Sequence, residues 1–165
     1  MRREVITVGK YIAGVTVVAV LFGASTMISN VLIYTGSTDF ETFFLQGDGV
    51  SALIHYVTAA VLAAIAYGAV FMLAGLFFKN PGVIAVFVLA WESLNFALPS
   101  TLQLFSVIHY LQGVLPVGID RGPFAVVTEP TSPVLGIPIL LIFSAALVAL
   151  AGWYVRYTQI TYSAD

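Results

Sequence analysis

From Ser51 to Phe78 the chain runs without a single charged side chain. That is longer than the roughly 20 residues an α-helix needs to cross a ~30 Å hydrocarbon core. Three further stretches, at about 11–34, 83–98 and 134–157, are also strongly apolar, with Glu92 and Arg156 as their charged residues. With no water in the bilayer interior, such segments satisfy their backbone groups internally, as helices. Composition agrees: 8% of the residues are charged and the mean hydropathy is +1.02, against about 25% charge in a soluble domain. The expected fold is an all-α integral membrane protein. Residues 1–165 form a single transmembrane domain of four transmembrane helices.

The connections are equally informative. Thr38 and Glu41 have capping-box spacing, and Phe40, Phe43 and Phe44 supply an apolar side, so Thr38 to Gln46 reads as a short interfacial helix after span one. Asn80-Pro81-Gly82 is a tight turn in which Asn80 caps the next helix and Pro81 takes its first position. Spans two and three are then an antiparallel hairpin. Gly68 and Gly75, with Ala64, give span two a face of small residues suited to close helix packing. The clustered Gly23, Ser25, Thr26, Ser29 and Asn30 read the same way, with polar groups bonded back to their own helix. Ser132-Pro133 marks the start of span four, and Trp153, Tyr154 and Tyr157 form an aromatic belt at its end.

Arg2, Arg3, Lys10, Lys79 and Arg156 fall on one side of this arrangement and only Arg121 on the other. The positive-inside rule places the first side, with both termini, in the cytoplasm of a cell whose inner or plasma membrane holds the protein. The apolar run after Arg2 and Arg3 continues to Tyr34, too long for the core of a signal peptide. A formal net charge of −2 and the absence of a basic tract exclude nucleic-acid binding. The absence of cysteine excludes disulfides and thiol chemistry.

Span three carries the polar groups. Projected at 100° per residue, Glu92, Asn95, Pro99, Gln103, Ser106 and Tyr110 share one helix side. Glu92 would lie roughly 14 Å into the membrane, where an acid is tolerated only against protein or water. Glu92, Asn95, Pro99 and Gln103 are therefore the candidates for a helix interface or a transport path. Pro99 removes a backbone donor, so the span should kink or end there. Ser100 or Thr101 would cap a short outer helix over about 100–113, giving a broken or re-entrant helix after span three. No phosphate-binding loop, H-E-x-x-H or G-x-S-x-G occurs, so no catalytic residue and no cofactor are expected. His55 and His109, at similar depth on neighbouring segments, have the arrangement of a haem ligand pair; the alternative is two interfacial histidines bonded to water or backbone.

Two stretches carry a resemblance. Arg2-Arg-Glu-Val-Ile-Thr-Val-Gly-Lys10, leading into a span, resembles the cytoplasmic segment before the third span of ABC-2 type transporter permeases. Trp91-Glu92 with Asn95, Pro99 and His109-Tyr110 resembles the fifth span and outer hairpin of the same family. Permeases of that family usually have six spans, and this chain is similar to the last four. The resemblance implies a membrane subunit of an exporter that works with a separate ATP-binding cassette ATPase and with a second permease copy or the missing N-terminal spans. It places Arg2, Arg3 and Glu4 near the ATPase contact and Glu92, Asn95 and Pro99 near the dimer-facing or path-lining region. A non-transport anchor or scaffold subunit of a larger complex is the alternative, and a haem-binding membrane protein is a third reading.

Overall fold

The computed structural model of the protein describes residues 3–35, 42, 44, 47–78, 80–95, 98–116 and 131–157. Among the described residues three helices are long and apolar enough to cross a membrane: α1 (Arg3–Thr35), α2 (Gly49–Phe77) and a C-terminal one (Pro133–Tyr157). Between the second and third of these lie α3 (Pro81–Ser93), a single turn α4 (Ser100–Gln103) and α5 (Val107–Val114). The C-terminal helix is thus α6. The chain is a helical membrane protein with several apolar helices.

Span two was expected over 51–78 and span four over 134–157; both agree with α2 and α6 to within two residues. Span one differs. Its helix starts at Arg3, not near residue 11, because the apolar limit of a span does not limit the helix. Once a helix is nucleated, polar residues extend it at little cost, and Glu4 is held by Arg156 of α6, Nε to Oε1 at 3.5 Å. The expected third span, 83–98, is the larger correction. α3 has 13 residues, about 20 Å at 1.5 Å per residue, too short to cross a ~30 Å core by itself. The expected outer helix over 100–113 is two pieces, separated where Ser106 is extended (φ −98°, ψ 132°). The expected interfacial helix, Thr38 to Gln46, lies mostly outside the described residues. Thr42 and Phe44 are helical, and Phe44 is buried edge-on against Tyr34 at 5.4 Å.

α1 and α2 pack along one another, α6 closes against both, and α5 is held between α2 and α6. The α1–α2 contact is close because Gly68 has no side chain: a Cβ there would lie 2.7 Å from Val15 Cγ2. The Tyr11 hydroxyl donates across the same contact to the Ile65 carbonyl at 2.8 Å. Gly75, on the same face, has open space around it. Within α1, Thr16 and Asn30 bond back to the carbonyls of Ile12 and Thr26, as expected of polar groups in a span.

Two aromatic and charged contacts define one end of the bundle. Phe77, closing α2, packs against Tyr154 with the rings tilted and their centroids 4.8 Å apart, at the same end as the Glu4–Arg156 pair. The opposite end holds the start of α6 and the end of α5. Gly113 meets the Thr131 carbonyl so closely that a Cβ has no room, and a Cβ on Gly136 would sit 3.5 Å from the Tyr110 carbonyl. Val107 packs with Ala66 and Leu140, and Val114 with Ala59 and Leu62. α5 therefore runs from the middle of α2 toward the end where α6 begins.

Candidate functional site

α3 starts as its sequence demands. The Asn80 side chain accepts from the Gly82 N–H at 3.0 Å, and Pro81 occupies the first turn. It stops one residue after Glu92, and the next α-helical turn among the described residues begins at Ser100. Pro99 was expected to end the span. The helix ends six residues earlier, and Pro99 instead precedes the α4 turn as its N-cap, exposed, at φ −55° and ψ 149°. Ser100 and Thr101, expected as caps, lie inside the turn, and Pro99 holds the extended geometry of the N-cap position. Its carbonyl accepts from Leu102 N and Gln103 N at 2.9 and 3.1 Å.

The carboxylate of Glu92 bridges this interruption. Ser106 Oγ donates to Oε2 at 2.5 Å, Val107 N–H to Oε1 at 3.0 Å and Ile108 N–H to Oε2 at 3.3 Å. Ser106 is the N-cap residue of α5, yet its hydroxyl makes no cap bond. Glu92 caps the helix in its place, from the end of α3. The first N–H groups of any helix lack internal partners, and the helix dipole places positive potential at them. The Tyr67 phenol of α2 interacts with the same carboxylate. The two backbone N–H groups can only donate, so the side-chain oxygens of Glu92 serve here as acceptors.

The expected stripe is buried only in part, for Pro99 is exposed and Tyr110 half-buried. Glu92, Asn95, Gln103 and Ser106 are all buried, but they line a folded-back break and not one face of a continuous helix. Gln103 Nε2 donates to the Leu98 carbonyl at 2.9 Å, and Leu98 N reaches the Asn95 carbonyl at 3.4 Å. These bonds tie the break together. Gln103 Oε1 and Asn95 Oδ1 have no hydrogen-bond partner among the described residues. Tyr110, partly buried, donates its hydroxyl to the Leu104 carbonyl at 2.9 Å.

His55 and His109 are held separately. His55 Nδ1 lies 2.7 Å from the Ser51 carbonyl of its own helix, and buried His109 places Nε2 3.1 Å from Thr131 Oγ1. Of the residues assigned to an ATPase contact, Arg2 and the side chain of Arg3 lie outside the described residues, and Glu4 is paired with Arg156.

A cavity of about 360 Å³ opens beside Glu92. Its walls include Tyr67, Phe87, Trp91, Phe105 and Phe143. Sequence reasoning had not found Tyr67 or the three phenylalanines. The available signal for Tyr67 was a phenol placed mid-span in an alanine-rich helix; the phenylalanines carried none, since apolar rings in apolar spans are expected anywhere. A larger groove of about 870 Å³ lies between α1 and α2, lined by small and aliphatic residues together with Tyr11, Phe22, Tyr67, Phe71 and Lys10.

Comparison of the chain with protein-family models, curated proteins and solved structures gave no match.

Proposed function

We propose that this chain is the permease-like membrane subunit of an ATP-binding cassette (ABC-2 type) exporter and moves substrate across the membrane with a separate ATPase subunit. The observation that supports the reading best is the Glu92-capped break. α3 leaves the end of the bundle marked by Phe77 and Arg156, and α5 arrives at the end where α6 begins. Together they make a fourth crossing built from two half-helices. Non-helical backbone at membrane depth is tolerated where protein or a water-filled path satisfies it, and transporters place binding sites at such interruptions.

The mechanism follows from what the break lacks. α3 and α5 are joined by side-chain bonds to one carboxylate and not by a continuous helical ladder, so a small tilt of α3 is carried to α5 through Glu92. Closure of an ATPase against the Glu4–Arg156 end would rock α1 and α6 and, through α2 and α6, move the half-helices packed on them. Glu92, Asn95 and Gln103 would then line the path, with Pro99 at its exposed lip. A second copy, or spans supplied by another chain, would complete it.

The test is a mild-detergent pull-down of the tagged chain from its native membranes, with identification of what is retained. A P-loop ATPase held in constant ratio is the expected result. Recovery of other subunits without any nucleotide-binding chain would overturn the reading. It would favour a membrane anchor or scaffold, which the full complement of donors around Glu92 also suits.

A further inference from the structure

We infer that the aromatic cavity beside Glu92 binds a lipophilic cation, an organic ammonium carried on an apolar body. This names a substrate class for the site just described and rests on that reading of it.

Three observations combine. The first is the lining: Tyr67, Phe87, Trp91, Phe105 and Phe143 present rings to one space of about 360 Å³. Ring faces carry negative potential and attract ammonium groups, most strongly when water is excluded. The second is the charge. Glu92 forms part of the same wall, its oxygens are met only by neutral donors, and no Lys or Arg among the described residues lines the cavity. An acid in this wall favours a cation over an anion, and a cation held by the rings would lie beside it. An anion would face repulsion from both the rings and the acid. The third is access. Phe87 and Phe105 are 71% and 74% exposed on the outer surface of the helices, so the cavity opens sideways, toward the bilayer. A ligand with an apolar body reaches it from the membrane; a small hydrated ion does not. The groove between α1 and α2 has rings as well, but among the described residues its charged wall residue is the cation Lys10, which would repel an ammonium group.

Binding can be read from Trp91 itself. The chain has two tryptophans, and Trp153 is exposed at the far end of α6, so Trp153→Phe leaves Trp91 as the reporter. The full chain in lipid nanodiscs is titrated with octyltrimethylammonium and, in parallel, with octyl sulfate, which has the same tail and opposite charge. Saturable quenching by the ammonium alone is expected. Affinity should fall about tenfold in Glu92→Gln and severalfold in Phe105→Leu. Phe105→Leu alters an exposed ring, so its effect stands even if Glu92→Gln fails to fold. Equal responses to the two amphiphiles, or an ammonium affinity unchanged in Phe105→Leu, would overturn the inference. Loss of ammonium binding while the ATPase is still retained in the pull-down removes only this substrate class, whereas binding without an ATPase leaves the site intact and removes the exporter.

Discussion

Removing the carboxylate of Glu92 would strand three donors at once, the Ser106 hydroxyl and the N–H groups of Val107 and Ile108. Each buried unpaired group costs about 1–3 kcal/mol, so Glu92→Ala should lower unfolding stability by about 3 kcal/mol or more, measured by reversible unfolding in mixed micelles. Glu92→Gln keeps one acceptor oxygen and should cost about half as much. In a double-mutant cycle, Glu92→Gln and Ser106→Ala should couple by about 1 kcal/mol; strict additivity would show that the hydroxyl does not serve the carboxylate. That Glu92 is shielded was legible, since an acid inside an apolar run has no other stable place. What it binds was not. Its partner Ser106 lies fourteen residues on, beyond a break that depends on tertiary packing and not on local propensity.

Helix spacing was read correctly where the helix continues and incorrectly where it stops. In α2 a single helical face carries Gly68 and Gly75, and the sequence treats them alike. Packing does not, because α1 crosses at Gly68 and has moved away by Gly75. Gly68→Ala should therefore destabilise the protein by about 1–3 kcal/mol through overpacking against Val15. Gly75→Ala should be neutral or stabilise it by up to about 1 kcal/mol through helix propensity. Thermal unfolding of the two variants side by side decides this, and equal effects would contradict the α1–α2 crossing. Gly113→Ala is expected to loosen the docking of α5 on the start of α6, seen as faster proteolysis around residues 113–131, because its Cβ has no space beside the Thr131 carbonyl. For α3 the projection at 100° per residue assumed one helix through Pro99. Burial of the polar side chains survived that error because it depends on their cost in lipid, which a break in the helix does not change.

For the molecule as a whole, hydropathy located the three long helices to within a few residues at all but the N-terminal end of α1, since apolar length is a direct physical requirement of the bilayer. It was silent on the division of the remaining segment into α3 and α5, which is settled by contacts with α2 and α6. The central claim is that these two pieces cross the membrane together with Glu92 at their junction. Because the chain has no cysteine, single cysteines placed on either side of the pair report it without background. Phe78→Cys and Pro116→Cys, both exposed positions, bracket α3 to α5 and can be labelled in sealed, oriented vesicles with a membrane-impermeant maleimide. Labelling of the two from opposite faces of the membrane is the predicted result; labelling of both from the same face would contradict the account.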